Sequence, residues 1–412
     1  MTDKLSKLPK VLIITTTFTR WERDELPSFV YSFAQSIKER CEVHVLAPHT
    51  KGAKKYEEMN GLKVHRFVYA PANFEKFGAG ISIVSALKKD PKTLLLIPVF
   101  IFSAALKIVK LHYRNGYNVV HVNWLVPFGP VVGFLRIFTD FRYVITSHGS
   151  DVFPFTSRKG VIASFVSWLH KIFTLPKVDM VIPVSNPLNE AINQYLPGIP
   201  QEKISVISMG LNYHSFSNLV VSNKEIRNPL QIVFAGRLAE IKGVRYLISA
   251  MDILRKKNID FELQIYGDGL LRNDLEVQVR ELGLSRYIKF NGFVDHDTLP
   301  MRLAEGDIFV GPSITTSLGE SEGLGLVFLE AMAAGLVVIG SNVGGISDVV
   351  VNQKTGILVD EKKPEAIVAA IELLISDNIL RKKLIDGGRE LAKDYDWTSI
   401  ASKYLQIYGF EK

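Results

Sequence analysis

Glu322 and Glu330 lie eight positions apart in the stretch SEGLGLVFLEAMAAG, which is otherwise apolar or glycine. A loop that brings the backbone close to a ligand is predicted from three glycines: Gly319, Gly323 and Gly325. A helix is predicted to begin near Leu324, where free N–H groups favour an anion or polar oxygen. Glu322 would lie in the loop and Glu330 about two turns into the helix. Two carboxylate acceptors so placed suit one extended ligand with sugar-type hydroxyls. A capping Glu322 with a surface Glu330 is the alternative, and the apolar neighbours of Glu330 argue against it.

Two cations follow a predicted strand in FAGRLAEIKG. Arg237 and Lys242 stand five positions apart, between the end of the strand and the start of a helix. A guanidinium and an ammonium at such a turn could clamp a diphosphate. Basic residues at strand ends are common, so the pattern gains weight only from the two glutamates in the same half of the chain.

Two further turns bear on the same ligand. The turn YGDGLLRNDL, with Gly267 and Gly269, lacks the G-x-G-x-x-G spacing of dinucleotide-binding proteins. The turn FNGFVDHDTLP places Val294 after a strand, where an apolar slot could hold a flat base or be ordinary core. The segment Asp295–Asp297 resembles a D-x-D metal motif, but a helix cap is the favoured interpretation.

His148, Gly149 and Asp151 form a comparable group in the first half of the chain, in ITSHGSDVFPF. They follow a predicted strand, so they would project from its carboxyl end into a cleft. A lone histidine is more often structural than functional. The adjoining glycine and aspartate favour a role in a site.

Strands and helices alternate along the whole chain of 412 residues, which is too long for one ordinary core. Such alternation predicts α/β domains with parallel sheets covered on both faces. We predict an N-terminal domain over 1–215, a linker over 216–229, and a second domain over 230–394, with 395–412 completing the first. The two doubly wound domains would face each other across a central cleft.

Charge and composition narrow the classes of protein further. Residues 1–210 carry 26 Lys and Arg against 15 Asp and Glu, a net charge of +11. The remaining 23 basic and 27 acidic residues give −4. This asymmetry favours an anionic partner for the first half, although ordinary solvated lysines explain it equally well. A single cysteine, Cys41, excludes a disulfide framework, and we read no secretory signal or transmembrane helix.

These stretches together resemble glycosyltransferase family 4, the retaining, nucleotide-sugar-dependent transferases of GT-B fold. The two glutamates separated by seven residues match its signature at Glu322 and Glu330, and GRLAEIKG matches its G-R-L-x-x-x-K-G pattern. Its G-x-G turn matches Gly267 and Gly269. The segment SHGSD is similar to its first-domain histidine segment, and DWTSIASKYLQIY to its closing helix, which crosses back onto the first domain.

The resemblance implies a role for each matched residue. Arg237 and Lys242 would hold the donor diphosphate, and Glu330 would accept from the ribose hydroxyls. The sugar ring would be held by Glu322 with backbone N–H groups of this run: Gly323, Leu324, Gly325 and Leu326. Val294 would contact the base. His148 would meet the transferred sugar, with His148, Glu322, Arg237 and Lys242 as the catalytic set and Asp151 as an orienting group.

The chain departs from the family pattern after its first strand. Many members carry a glycine-rich loop there, whereas FTRWERDELP contains no glycine. Arg20 or Arg23 could replace that backbone contact with a side chain.

The resemblance implies transfer from a UDP- or GDP-sugar, without a metal or other cofactor, to the hydroxyl of a saccharide or lipid-linked acceptor. The alternatives are a GT-B-fold sugar-nucleotide epimerase and a non-catalytic nucleotide-sugar-binding subunit. No nucleic-acid motif is readable. The basic first half and the apolar run near Leu94–Leu111 suggest a cytoplasmic protein in peripheral contact with an anionic membrane, although buried core helices would give the same run.

Overall fold

The computed structural model describes residues 8–21, 24, 29–78, 83, 86, 90–156, 160–219 and 225–411. The chain divides into two compact units. The first unit comprises Met1–Val184, Asn189–Ile207 and Trp397–Lys412, and the second comprises Ser185–Leu188 and Ser208–Asp396. Each unit is built on a largely parallel sheet, so the predicted α/β class is confirmed.

The described part of the first unit contains a seven-stranded sheet in the order β3-β4-β2-β1-β5-β6-β7. Its strands are β1 Lys10–Ile14, β2 Glu42–Pro48, β3 Tyr56–Met59, β4 Leu62–Phe67, β5 Val119–Asn123, β6 Arg142–Ser147 and β7 Met180–Pro183. Every pairing is parallel except that of β3 with β4. Strands such as VLII of β1 are fully buried, because helices cover both faces of a parallel sheet.

The helices in the first part of the chain are Phe29–Ile37, Leu96–Asn115, Phe128–Leu135, Phe153–Thr156, Val161–Leu169 and Asn186–Tyr195. Short 3-10 turns lie at Ala72–Phe74, Pro91–Leu95 and Gln201–Lys203, and a π-helical turn at His170–Thr174. These elements connect successive parallel strands, as the alternation of strand and helix patterns predicts.

The described part of the second unit contains a six-stranded, wholly parallel sheet in the order β10-β9-β8-β11-β12-β13. Its strands are β8 Leu230–Ala235, β9 Phe261–Tyr266, β10 Ile288–Gly292, β11 Ile308–Gly311, β12 Val337–Ser341 and β13 Ile357–Val359. Its helices are Tyr213–Ser217, Val244–Lys256, Arg272–Glu281, Leu299–Ala304, Leu326–Ala333, Ile346–Val349, Pro364–Ser376 and Asn378–Asp394, with a 3-10 turn at Glu240–Lys242. This is the doubly wound strand order of Rossmann-like domains.

The last helix, Trp397–Tyr408, returns to the first unit, as predicted. The Tyr408 hydroxyl lies 2.6 Å from Nδ1 of His121 on β5, and the Tyr404 ring lies 4.6 Å from the Phe33 ring. Both tyrosines are buried. Aromatic packing and a buried hydrogen bond therefore attach the end of the chain to the first sheet.

The division between the units differs from the predicted boundary at residue 215. Residues 208–217 belong to the second unit, because the helix Tyr213–Ser217 packs on the helices Leu299–Ala304 and Leu326–Ala333. Within the predicted linker, residues 220–224 lie outside the described residues, and Arg227 is bound to Asp307 at 3.0 Å. The linker prediction rested on polar composition, which does not reveal such contacts.

The helix Leu96–Asn115 exposes an apolar stripe. Its buried face, which includes Phe100 and Ile108, packs on β4 and the helix Phe128–Leu135. Leu95, Phe102 and Leu106 are more than half exposed. Pro91–Asn115 is long and apolar enough to span a membrane. The sequence predicts no such helix, because Lys92 and Lys107 limit its uncharged run to residues 93–106. Pro98 lies in the first turn of the helix, where its missing N–H is tolerated.

Candidate functional site

The second sheet reverses its winding between β8 and β11, which are neighbours. The chain leaves β8 toward β9 on one side, and the strands after β11 continue on the other. Loops at such a switch point splay apart and leave room for a ligand at the carboxyl ends of the strands. The predicted cations follow β8 and the predicted glutamates follow β11, so both groups lie at this position.

Lys242 and Glu322 form an ion pair although 80 positions separate them. Lys242 Nζ lies 2.6 Å from Glu322 Oε2, and Ser313 Oγ donates to the same oxygen at 3.4 Å. Both charged side chains are largely buried, with exposed fractions of 17% and 16%. The loop after β8 therefore holds a cation directly against the carboxylate of the loop after β11.

Arg237 has a different environment from Lys242. Its side chain is exposed, and among the described residues its guanidinium has no ion-pair or hydrogen-bond partner. Its carbonyl accepts from Ala239 N at 2.9 Å, which helps to shape the turn. Arg237 is thus a positive group at the loop after β8 that is available to an anion.

Gly267 and Gly269 have a structural reason to be glycine. A Cβ on Gly267, whose φ is +136°, would lie 1.9 Å from Gly236 O. A Cβ on Gly269 would lie 2.5 Å from Leu238 O. The loop after β9 therefore packs directly on the backbone that carries Arg237. These clashes are sufficient to require glycine at both positions. Contact of Gly267 and Gly269 with the nucleotide-sugar donor remains a prediction.

Two glycines from a neighbouring turn support the loop that contains Glu322. Gly345 N donates to Glu322 O at 2.8 Å, and a Cβ on Gly344 would lie 2.2 Å from the same oxygen. Gly325 has φ +83° and precedes the helix Leu326–Ala333, which starts two residues later than predicted. The N–H groups of Gly323 and Leu324 donate to no oxygen of the described residues. The loop therefore presents unused backbone donors beside the Glu322 carboxylate.

Glu330 is buried within that helix, with 6% of its surface exposed. Its carboxylate has no hydrogen-bond partner among the described residues. His296 Nδ1 lies 3.9 Å from Glu330 Oε1, which is beyond hydrogen-bond distance. Burial raises the pKa of Glu330, and the neighbouring His296 opposes the shift. A buried carboxylate without hydrogen-bond donors is costly in free energy, and hydroxyl groups of a ligand would satisfy it.

Val294 lines a cavity of about 490 Å³ on the second sheet. The other lining groups are mostly polar, among them Gln264, Lys289 and Asn291. The predicted slot beside Val294 is therefore not purely apolar. Asp295 Oδ1 accepts from Thr298 N at 2.7 Å, which fits the capping interpretation of this segment. No group of three His, Cys, Asp or Glu suited to a metal ion occurs within the described ranges.

Asp151 organises the candidate loop of the first unit, which follows β6. Its carboxylate is buried and accepts from the backbone N–H groups of Leu125, His148 and Gly149, and from the Ser147 hydroxyl. Burial raises the pKa of Asp151, and these hydrogen bonds oppose the shift. The carboxylate oxygens of Asp151 accept hydrogen bonds from the protein itself, so the contacts support a role in orienting the loop rather than in binding a ligand.

His148 Nε2 lies 3.0 Å from Asn123 Oδ1. The imidazole lies 4.7 Å from the ring of Phe29 and 4.7 Å from the ring of Trp124. Burial lowers the pKa of His148 to about 3, so the ring is neutral near pH 7. With Nε2–H donating to Asn123, Nδ1 is left as an acceptor for a hydroxyl group.

Arg20 and Arg23, in the loop after β1, are the two cations predicted to replace the glycine-rich loop. The Arg20 guanidinium binds the Asp24 carboxylate at 2.6 and 2.9 Å and lies 4.2 Å from the Trp21 ring. Its charge is therefore already engaged by Asp24. Arg23 lies outside the described residues.

Sequence reasoning did not identify Asn123, Trp124 or His296 as site residues. Asn123 ends β5 and Trp124 follows it, as His148 follows β6, so the position at a strand end was a usable signal. His296 was noted only as the middle of a D-x-D segment. Its proximity to Glu330 depends on tertiary packing and could not be read from spacing.

Comparison with known proteins extends these observations to the whole chain. The family model described as Glycosyltransferase Family 4 matches residues 27–214, and the model described as Glycosyl transferases group 1 matches residues 217–391. An uncharacterised glycosyltransferase of Methanocaldococcus jannaschii, MJ1607, is 32% identical over 380 residues, which cover 88% of this chain and 93% of the relative.

Two solved structures share the fold. Sucrose-phosphate synthase of Thermosynechococcus elongatus is 21% identical, with a TM-score of 0.75 and coverage of 97% of this chain and 98% of that one. HepE of Anabaena, solved in complex with UDP, is 19% identical, with a TM-score of 0.73 and coverage of 97% and 99%. Both are GT-B proteins, which agrees with the predicted fold.

Proposed function

Since this chain belongs to glycosyltransferase family 4, we propose that it transfers a sugar from a nucleoside diphosphate sugar to an acceptor hydroxyl with retention of configuration. One observation carries the proposal. At the switch point of the second sheet, the buried carboxylate of Glu330 occurs with the Lys242–Glu322 ion pair and the cation Arg237. Among the described residues, no group donates a hydrogen bond to Glu330 and no acidic group pairs with Arg237. A nucleoside diphosphate sugar offers hydroxyls for the carboxylates and two phosphates for the cations. HepE, a fold relative, was solved with UDP, which supports a UDP-sugar as the donor. A GDP-sugar is the alternative that the family resemblance implies.

The ion pair gives Lys242 and Glu322 a coupled role in this reaction. In the free enzyme the Lys242 ammonium is held by Glu322 at 2.6 Å. A diphosphate carries more negative charge than one carboxylate, so it draws Lys242 away and leaves Glu322 to accept from sugar hydroxyls. Each partner thereby keeps the other from being a buried, unpaired charge before the donor arrives.

In the chemical step, the acceptor oxygen bonds to the anomeric carbon as the bond from that carbon to the diphosphate oxygen breaks. The acceptor proton passes to the leaving diphosphate. Negative charge grows on that leaving group, and Arg237, Lys242 and the free backbone N–H groups near Leu324 stabilise it. These groups supply the stabilisation that a metal ion provides in other transferases. His148 contributes a neutral imidazole that accepts from a sugar hydroxyl.

A donor panel tests this function. The protein is incubated with UDP-glucose, GDP-mannose and ADP-glucose, and released nucleoside diphosphate is measured for wild type, Lys242→Ala and Glu322→Ala. We expect release from one donor and at least about a tenfold loss in both variants. The matched controls are Lys257→Ala and Glu372→Ala, because this exposed Lys–Glu pair of the same unit lies 2.7 Å apart. Equal loss in the control pair, or no release from any donor, would contradict the proposal.

The same experiment separates the other activities. An epimerase would release an altered sugar and need no acceptor. A binding subunit would bind the donor without releasing diphosphate. Retention is read from the anomeric proton coupling of the product by NMR.

The acceptor is proposed to lie at an anionic membrane, at its cytoplasmic face. The exposed apolar stripe of the helix Leu96–Asn115 leads into three cations, Lys107, Lys110 and Arg114. None of the three has an acidic partner among the described residues. Apolar side chains beside unpaired cations are the combination that binds anionic lipid surfaces.

Vesicle sedimentation tests the membrane contact. We expect binding to vesicles of phosphatidylglycerol that weakens with salt, and little binding to phosphatidylcholine. The double variant Phe102→Ser/Leu106→Ser should lose binding. The control Leu270→Ser/Ile379→Ser removes apolar side chains that are even more exposed, from the second unit, and should retain binding. Salt-independent binding, or loss in the control alone, would refute the membrane contact.

A further inference from the structure

Asn123 and Trp124 occupy the switch point of the first sheet. The strand order places β1 between β2 and β5, and the winding reverses between β1 and β5. Asn123 is the last residue of β5 and Trp124 the first residue after it. This position corresponds to that of the donor loops in the second unit, at the carboxyl end of strands flanking a reversal. The function derived above assigns no role to either residue.

The amide of Asn123 is buried, with 1% of the residue exposed, and is only half satisfied. Oδ1 faces His148 Nε2 at 3.0 Å, while Nδ2 has no hydrogen-bond partner within the described part of the chain. Native proteins seldom leave a buried amide donor unpaired, because its lost hydration is not replaced. In either orientation of the amide, one polar atom is left for a group that the chain itself does not supply.

The backbone of Trp124 adopts the left-handed conformation, with φ +69°. Bulky residues rarely adopt it, and such strain is found where the surroundings fix a residue for function. Here Trp124 N donates to Thr146 O at 2.8 Å. The indole, which is partly exposed, lies 5.7 Å from the Phe29 ring and 4.7 Å from that of His148. The rings of Phe29, Trp124 and His148 therefore form one cluster, and His148 joins this cluster to the Asn123 amide.

We propose that Asn123 and Trp124 bind a sugar ring beside His148. The indole stacks on the apolar C–H face of a pyranose, and the free amide atom of Asn123 hydrogen-bonds to a ring substituent. A hydroxyl of the same ring donates to His148 Nδ1. A pyranose offers both an apolar face and fixed hydroxyls, which fits an aromatic wall with one polar group better than a purely apolar ligand does. The inference rests on the proposed function, and the ring is either the transferred sugar or the acceptor sugar.

Two variants remove the two contacts separately. Asn123→Asp keeps the shape and the oxygen that faces His148 but removes the amide donor. Trp124→Leu removes the stacking surface, and Trp124→Phe retains an aromatic ring. The matched controls are Asn193→Asp and Trp168→Phe, which make the same changes at exposed positions of the first unit.

The assay compares ligands with and without a sugar. With the donor found in the panel, we measure its slow hydrolysis without acceptor and its transfer to methyl glucosides, galactosides and mannosides. We also measure binding of the free nucleoside diphosphate by calorimetry. We expect Asn123→Asp and Trp124→Leu to lower hydrolysis or transfer by at least about tenfold, with nucleoside diphosphate affinity within about twofold of wild type. Trp124→Phe should retain most of the activity.

The hydrolysis and transfer assays distinguish whether the bound ring is the transferred sugar or the acceptor sugar. Lower hydrolysis assigns the subsite to the transferred sugar, and lower transfer with normal hydrolysis assigns it to the acceptor. Wild-type rates in both reactions for Asn123→Asp and Trp124→Leu would overturn the inference while leaving the proposed function intact. An inactive wild type would instead reject the proposed function.

A second measurement does not depend on a folded Trp124→Leu protein. Either the methyl glycosides or the nucleotide sugar found in the panel should change the tryptophan fluorescence of wild type and Trp168→Phe, and the change should be absent in Trp124→Phe. The same change in all three proteins, or none in any, would contradict sugar stacking on Trp124.

Discussion

Replacing Glu330 by methionine should stabilise the protein and weaken donor binding together. Glu330 is buried and its carboxylate has no hydrogen-bond donor among the described residues, so the folded protein carries an unsatisfied polar group. Such a group costs about 1–3 kcal/mol in proteins. Methionine has nearly the same volume as glutamate and removes the unsatisfied polar group. We therefore expect the free energy of unfolding in urea to rise by about 1–3 kcal/mol.

The pH dependence of this gain follows from the raised pKa of Glu330. The folded protein holds the carboxyl proton to a higher pH than the unfolded chain, whose glutamate titrates near about 4.3. Wild-type stability therefore falls as pH rises from that value through the folded pKa. The gain of Glu330→Met should be smallest near pH 4, grow with pH, and then become constant.

The effect on binding has the opposite sign. A hydrogen bond to a charged group contributes about 1.5–3 kcal/mol, so loss of the Glu330 contact should weaken nucleoside diphosphate binding about 10–100-fold. Calorimetry measures it, with Glu281→Met as the control at an exposed helix position. A Glu330→Met protein that is less stable than wild type, or that binds the nucleotide equally well, would refute the reasoning.

Three further substitutions test the stabilising role of residues in the two units. Asp151→Asn should lower the free energy of unfolding by about 3 kcal/mol in urea, because an amide cannot accept all the hydrogen bonds that the buried carboxylate accepts. Burial lowers the pKa of His121 to about 3, so the folded protein binds fewer protons than the unfolded chain. Its stability therefore falls as the pH drops from about 6.5 toward 3. The His121→Gln variant should lose about 2 kcal/mol less stability than wild type between pH 7 and 5. Gly267→Ala should lower the melting temperature far more than Gly283→Ala, since only the first new Cβ would collide with a neighbour, Gly236 O at 1.9 Å.

The periodic elements were predictable because burial on both faces makes parallel strands continuous apolar runs. β3 was missed, since Tyr56–Met59 is a short, polar edge strand without that signal. The apolar residues of ISVI predict a strand over 204–207, whereas the structure has only an isolated bridge between Ile204 and Val181 there. An apolar tetrapeptide cannot show whether it extends a sheet or merely covers its edge.

The residues that could bind the donor were predictable from their chemistry and spacing in the sequence. The ion pair between two of them was not. Lys242 and Glu322 were assigned to diphosphate and sugar as separate contacts, whereas the structure joins them at 2.6 Å. Their meeting depends on the strand order, which places β8 beside β11. Asn123 was passed over because nothing in its sequence context shows that its amide is buried without a partner.

Calorimetric titration of the nucleoside diphosphate and of its sugar into Lys242→Ala and Glu322→Ala tests the coupled site most directly. Lys242→Ala should bind both ligands about 10–100-fold more weakly, because the diphosphate loses its cation. Glu322→Ala should bind the nucleoside diphosphate at least as well as wild type, since Lys242 is released from its partner. It should lose only the extra affinity that the sugar contributes. If both variants weaken nucleoside diphosphate binding equally, or if neither does, Lys242 and Glu322 do not divide the donor between them as proposed.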